Sequence, residues 1–329
     1  MAIIIVGFVD PFDAAQSSAC FVIVALLALL ACLAAQYAFP PKGRQWLMAF
    51  YGRLCLSTAK RLNAGDRNSG ILAWLAMMGA VLVPVALVTL AAGAIHAVLL
   101  WLAEVAVLYF TLRFLSTAAH VSAIESALRS GDVAAGANLL AQWQGEPIEV
   151  HDAGLVSKLA AEHALREAHH GTFAPLFWFI ALPGPLGLVL YPLALRAARS
   201  WEHLVDPDER DFGWFAARAF YLIDWIPQRL TAFVFAVVGD FEDALFCWRS
   251  QAAQWVRPEE GIILASGAGA LGVRLGEPIA SGGGWIDRPV LGLGEPARED
   301  ALASLSGLLW RALIVWMIVY LLVAAIKGG

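Results

Sequence analysis

His163 and Glu167 stand four residues apart, a spacing that puts two side chains on one helical face and could offer two ligands to a metal ion. His169, His170 and Glu162 lie close by. Lys158 and Arg166 share the stretch, however, and no H-E-x-x-H pattern appears, so a solvated helix face is the expectation and no metal is assigned. Asp206, Asp208, Glu209 and Asp211 gather around Pro207 and Arg210, an oxygen-rich set that suits Mg²⁺ and equally suits a solvated acidic loop. Gly267-Ala-Gly269-Ala-Leu-Gly272 fits G-x-G-x-x-G, with Asp287 twenty residues past Gly267. A dinucleotide site needs a helix to begin at these glycines and hold pyrophosphate at its N-terminus. Pro278 and Gly282-Gly283-Gly284 follow almost at once, so close helix packing is expected and no bound cofactor is assigned.

The elements that must position these groups are set by composition. Of 329 residues, 60% are hydrophobic and 15% charged, against about 25% charged in soluble domains. Net charge is -5, so there is no basic field to hold nucleic acid. Four cysteines, Cys20, Cys32, Cys55 and Cys247, form no C-x-x-C pair, and Cys20 and Cys32, in one apolar run, read as small hydrophobes. Residues 1–17 carry no Lys or Arg, which speaks for a retained membrane helix rather than a secretory signal.

About 20 apolar residues span a bilayer. Residues 18–39 and 305–326 meet this, and the run from 68 to 115 divides into spans at about 71–91 and 95–115, with Gly93 between them and Pro84 kinking the first. Pro175, Pro183, Pro185 and Pro192 interrupt 172–195, which is expected to be a broken span or, preferably, a re-entrant hairpin about Gly184. The ten-residue stretch 230–239 reads as buried or interfacial. The fold expected is all-α: a polytopic integral membrane protein with four to five transmembrane helices, a proline-broken or re-entrant segment, and cytoplasmic helical elements. Its regions are an N-terminal membrane region over residues 1–119 with three spans, a cytoplasmic helical hairpin 120–171, a core 172–304, and a C-terminal transmembrane helix 305–329. Loop 40–69 holds six Lys/Arg and one acid, which places it in the cytoplasm of a bacterial-type inner membrane and the N-terminus outside.

Local patterns add detail. Leu47, Phe50, Tyr51 and Leu54 form one side of a helix suited to lie on the anionic inner leaflet. Residues 121–143 read as a hairpin broken at Gly131 with Asp132 as an N-cap. Glu104 and Arg311 are ionisable groups inside spans, where a mutual contact is one expectation and snorkelling of Arg311 another. Trp46, Trp74, Trp101, Trp178, Trp310 and Trp316 fall near span ends and read as interfacial anchors.

An ordered series of strings resembles the CobD/CbiB superfamily of cobalamin-biosynthesis membrane proteins, which includes an AmpE branch. The strings are Ala174-Pro-Leu-Phe-Trp-Phe179, Pro183-Gly-Pro-Leu-Gly187 with Tyr191, Phe212-Gly-Trp-Phe-Ala-Ala-Arg218, Trp225-Ile-Pro-Gln-Arg-Leu-Thr231 and Gly269-Ala-Leu-Gly272. The likeness is firm over 120–276 and looser from Met1 to Ala119. It implies amide attachment of an aminopropanol unit to a corrinoid propionate, with Mg²⁺, ATP and acidic residues. Glu167, Asp206, Asp208, Glu209, Asp211 and Asp224 are the catalytic candidates on that reading.

Where the enzymatic branch tends to carry Glu-Asn-x-x-Asp-Gly, this chain has Arg166-Glu167-Ala-His-His170-Gly171. Asn-Thr-x-Asp-Ser-Met is replaced by Arg196-Ala-Ala-Arg-Ser-Trp201, and Leu-Asp-Asp by Ala219-Phe220-Tyr221. Acidic positions are lost in all three strings, which argues against a working ligase. The segment Val238-Gly-Asp240-Phe-Glu-Asp-Ala-Leu-Phe-Cys-Trp248-Arg resembles the AmpE side, implying a non-catalytic regulatory or scaffolding protein as the alternative. The partners implied are the lipid bilayer and a corrinoid or other membrane proteins, with a homo-oligomer as a further expectation.

Overall fold

The computed structural model describes residues 27–39, 41, 44–147, 152–182, 184–203, 210–281 and 284–328. Among them, four helical segments are long and apolar enough to cross a membrane: Arg67–Ile95, Ala97–Arg129 (two helices joined at Leu112 and Arg113), Phe212–Val238 and Glu299–Val323. The protein is an all-α polytopic membrane protein. Helix α1 is described over Leu27–Ala38, and the start of its expected span, with Cys20, lies outside the described residues.

Helix α2 (Arg44–Leu62) buries Tyr51, Gly52, Cys55 and Ala59. It packs on the protein through that face, where the Trp201 indole donates to the Cys55 carbonyl at 3.1 Å. The expected lipid-facing side is therefore only partly right: Tyr51 is covered, and Phe50 remains exposed, stacked on Trp46. Helix α3 (Arg67–Ile95), capped by Asp66, runs unbroken through Pro84. The break before α4 (Ala97–Thr111) falls at His96 and not at Gly93, because His96 is extended and its Nδ1 accepts from Val98 N–H at 3.2 Å. The imidazole satisfies an orphan donor of the new helix, which a bare glycine cannot.

Helices α5 (Phe114–Arg129) and α6 (Val133–Gln144) form the expected hairpin, with Asp132 accepting from Ala135 N–H at 2.9 Å. Helix α7 (Ala153–Ala168) continues through a π turn (His169–Phe173) into α8 (Ala174–Ala181). The chain then turns at Gly184, where φ is +61°, into α9 (Leu186–His203). The two arms of this hairpin touch directly: a Cβ on Gly187 would lie 2.1 Å from the Trp178 carbonyl oxygen.

Helix α10 (Arg210–Val238) corrects the reading of 230–239, which is the end of a 29-residue helix. Its charges had hidden it. Asp224 turns inward and is 3% exposed, while the Arg218 and Arg229 guanidinium groups lie over Tyr221 and Trp225. Helices α11 (Phe241–Gln251) and α12 (Pro258–Leu271) follow. Short strands β1 (Val273–Gly276), β2 (Ile279–Ser281), β3 (Gly284–Ile286), β4 (Val290–Gly292) and β5 (Glu295–Pro296) come next. Strand β1 pairs antiparallel with β4 and parallel with β5, and β2 with β3 makes a separate antiparallel pair. Helix α13 (Glu299–Gly328) closes the fold.

Two span expectations change. Glu104 and Arg311 form no ion pair among the described residues; Arg311 donates instead to the Gly307 carbonyl. Trp316 is 3% exposed and stacks on Phe173, so it belongs to the core and is no interfacial anchor.

Candidate functional site

The π turn after α7 sets the site. Ala174 N–H reaches back to the His169 carbonyl, a wider loop than the α-helical bond and a feature frequent at functional positions. It brings the rings of adjacent His169 and His170 to 4.8 Å between centroids. From the side, Arg113 N–H donates to the Gly171 carbonyl at 2.8 Å and fixes the turn.

Helices α9 and α10 supply the partners. His169 Nε2 lies 3.0 Å from Asp224 Oδ1, and its Nδ1 lies 3.0 Å from the Thr231 hydroxyl. Tyr191 donates to Asp224 Oδ1 at 2.7 Å, and His170 Nδ1 meets the same phenol oxygen at 2.8 Å. Since the phenol proton goes to Asp224, His170 Nδ1 is the donor in its pair. All five side chains are buried. Burial holds the His170 imidazole well below its ordinary pKa, helped by the neighbouring His169 ring and the Arg199 guanidinium, so the ring is neutral.

His169, His170 and Asp224 line one wall of a cavity of about 590 Å³ between the π turn, α9, α10 and α12. Arg166, Arg199, Arg257, Glu202, Glu259 and Glu260 also line it. Arg257 pairs with Glu202 at 2.8 Å, and Arg166 with Glu260 at 3.5 Å. The Arg199 guanidinium has no ion pair or hydrogen bond among the described residues.

Of the sequence candidates, Asp224 is at the cavity. Glu167 does not line the cavity; it is paired with Arg113 at 2.8 Å, and its charge acts on Arg199, which does line it. Asp206, Asp208 and Glu209 lie outside the described residues, and Asp211 falls in the first turn of α10. The solvated-face reading of the histidine stretch is overturned: Glu162, His169 and His170 are 1%, 0% and 7% exposed. The long-range ion pairs Glu162–Arg288 and Lys158–Glu277 neutralise the charges that had implied solvent. Tyr191, Thr231 and Arg199 were missed; the adjacent His169-His170 pair was the signal that could have found the site. The glycine motif lies at the end of α12, which begins at Pro258: Gly267 and Gly269 pack closely against Leu165 and Asp243, and Gly272 caps the helix with φ +65°. A Cβ on Gly269 would lie 2.5 Å from the Asp243 carbonyl oxygen.

Fold and site together define a helical membrane protein with an imidazole–phenol–carboxylate cluster opening on a cavity lined by apolar and charged side chains. The chain belongs to the CobD/CbiB family: the family described as CobD/Cbib protein matches residues 18–309. The cobalamin biosynthesis protein CobD of Stutzerimonas stutzeri (strain A1501) is 34% identical over 285 residues, covering 85% of this chain and 91% of its own length. That of Chromobacterium violaceum is 34% identical over 229 residues, 68% and 72% of the two chains. That of Brucella suis biovar 1 is 32% identical over 220 residues, 64% and 66%. No solved structure matches this chain.

The positions at which the resemblance puts carboxylates converge in space. Arg166, His170, Arg199, Phe220 and Tyr221 stand at those positions, and all five line the cavity.

Proposed function

We propose that this protein acts in cobalamin biosynthesis at the inner membrane, with loop 40–69 in the cytoplasm, and that its cavity receives the propionate arm of a corrinoid. The observation that carries this reading is the convergence of those five positions on one cavity beside Asp224. At about 590 Å³ the cavity has the size of a small-ligand pocket. It suits one side arm of the macrocycle better than the whole ring. The unpaired Arg199 guanidinium is matched to a carboxylate, which accepts two parallel N–H bonds from such a fork.

The donor set does not fit a Mg²⁺–ATP centre at those five positions. Hard cations take oxygen ligands, and here two arginines, a histidine, a phenylalanine and a tyrosine stand instead. Glu202 and Glu260 are already held by arginines. No activation step is derived through that group, and the role proposed is corrinoid binding in support of the pathway.

The test is binding of a corrinoid bearing a free propionate to the detergent-purified chain, read by the visible absorbance of the macrocycle in equilibrium dialysis. Saturable binding weakened roughly tenfold or more by Arg199→Met is expected. Equal binding of a corrinoid with that propionate already amidated overturns the arm assignment, and no binding overturns the reading. A second reading, an AmpE-like regulatory or scaffolding role, draws on the same loss of carboxylates. It predicts no corrinoid binding and no rescue of a strain lacking the cobinamide-forming synthase.

A further inference from the structure

We propose that His169, His170 and Asp224 bind a divalent transition metal of the zinc class at the cavity wall. One donor atom from each lies within 4.8 Å of the others, and all three residues are buried. Tetrahedral bonds of 2.0–2.1 Å put ligand atoms roughly 3.3 Å apart. The His169 Nε2–Asp224 Oδ1 pair stands at 3.0 Å, near that spacing. The widest separation closes by about 1.5 Å through side-chain rotation on binding.

The surroundings are those of metal ligands. Each imidazole has its Nδ1 held by a hydroxyl oxygen, His169 by Thr231 and His170 by Tyr191. Metal binding would displace the proton that His169 Nε2 shares with Asp224, and with Nδ1–H then donating to its hydroxyl oxygen each Nε2 lone pair is fixed in direction, the usual outer support of a metal-bound histidine. His170 Nε2 has no hydrogen-bond partner among the described residues, and neither has Asp224 Oδ2, because both of that carboxylate's bonds fall on Oδ1. Neither atom is among the fully buried polar atoms left without a partner, and both residues line the cavity from which an ion would reach them.

Ligand chemistry selects the ion. Two imidazoles and one carboxylate suit zinc and its first-row neighbours, not Mg²⁺ or Ca²⁺. Three protein ligands leave a fourth position, and His170 and Asp224 both line the cavity, so that position opens there. The π turn is what makes the set possible, since it brings two consecutive histidines to one centre. The positive charge of Arg199 opposes a bare cation, and a carboxylate or hydroxide in the fourth position offsets it.

The experiment uses the full chain, purified in detergent on an affinity tag free of histidine. Metal content by inductively coupled plasma mass spectrometry is expected at about one zinc per chain after dialysis against zinc and then buffer. Co²⁺ added to the stripped protein should give visible absorption bands of a four-coordinate N/O site. His170→Gln and Asp224→Asn should lose the metal and the bands, while His163→Gln keeps both. If a variant fails to fold, the Co²⁺ spectrum of the unmodified chain decides. Absence of both zinc and the cobalt bands overturns the proposal, leaving a hydrogen-bonded relay. Retention by folded Asp224→Asn and His170→Gln places the metal elsewhere and overturns it as well.

Discussion

Glu162 and Asp224 are both carboxylates with almost no exposure, 1% and 3%, on helices that meet at the same cavity-bearing core, yet their surroundings are opposite. Glu162 is closed. Arg288 grips it at 2.8 and 3.3 Å, and Gly276 N–H donates to it at 2.9 Å. Lys158 and Glu277 add a second pair at 2.7 Å beside it. These bonds tie the loop after β1 to α7. Asp224 is open: Tyr191 and His169 both meet it on one oxygen, and it lies against a cavity. A buried charge matched by an opposite charge holds a fold together. One bonded through a single oxygen beside a cavity is kept for a ligand.

The comparison breaks most readily at Glu162. Glu162→Ala leaves Arg288 without its counter-charge in a site only 12% exposed, and removing one partner of a buried pair costs about 3–5 kcal/mol. Asp224→Asn keeps an oxygen for Tyr191 and His169 and should cost about 1 kcal/mol. Denaturant midpoints in detergent, followed by tryptophan fluorescence, measure both. Equal losses would mean that Asp224 is structural like Glu162.

That contrast also separates what the sequence can and cannot disclose. Helix α13, the α5–α6 hairpin and the Asp132 cap follow from hydropathy and local capping, which act within a few residues. The site does not. Lys158, Glu162 and Arg166 look like a solvated face because their partners Glu277, Arg288 and Glu260 lie 94 to 126 residues away. Asp224 was found only through the resemblance, because a charge in mid-helix has the same signature whether it faces lipid, water or a cavity. The π turn that joins His169 to His170 leaves no periodic trace in five residues.

His163, next to Glu162 on α7, sharpens the comparison through pH. Its ring packs edge-on to Trp143 at 4.5 Å, and burial pushes its pKa down to about 4. Protonation is disfavoured in the folded chain, so the unfolded chain takes up the extra proton between pH about 6.5 and about 4. Stability from this group is complete above that window and falls as pH drops through it, by at most about 1.4 kcal/mol per unit. Thermal midpoints from pH 7 to 4 should fall less steeply for His163→Gln than for the unmodified chain. Parallel curves would assign the acid sensitivity to the paired carboxylates instead.

The smallest effect expected on stability is at Arg199, and it bears most directly on the open site. An unpaired guanidinium taken from water is unfavourable for folding, and only its aliphatic stem packs favourably. Arg199→Met keeps the stem and removes the charge, so the unfolding midpoint should hold within about 0.5 kcal/mol or rise. Arg288→Met, by contrast, should fall by several times that, since it strands Glu162. A large loss at Arg199 would show the guanidinium held by a partner, and the two sites would then be alike. A neutral or stabilising result means that the charge works against the fold, and a side chain kept at such a position is matched to something that enters the cavity.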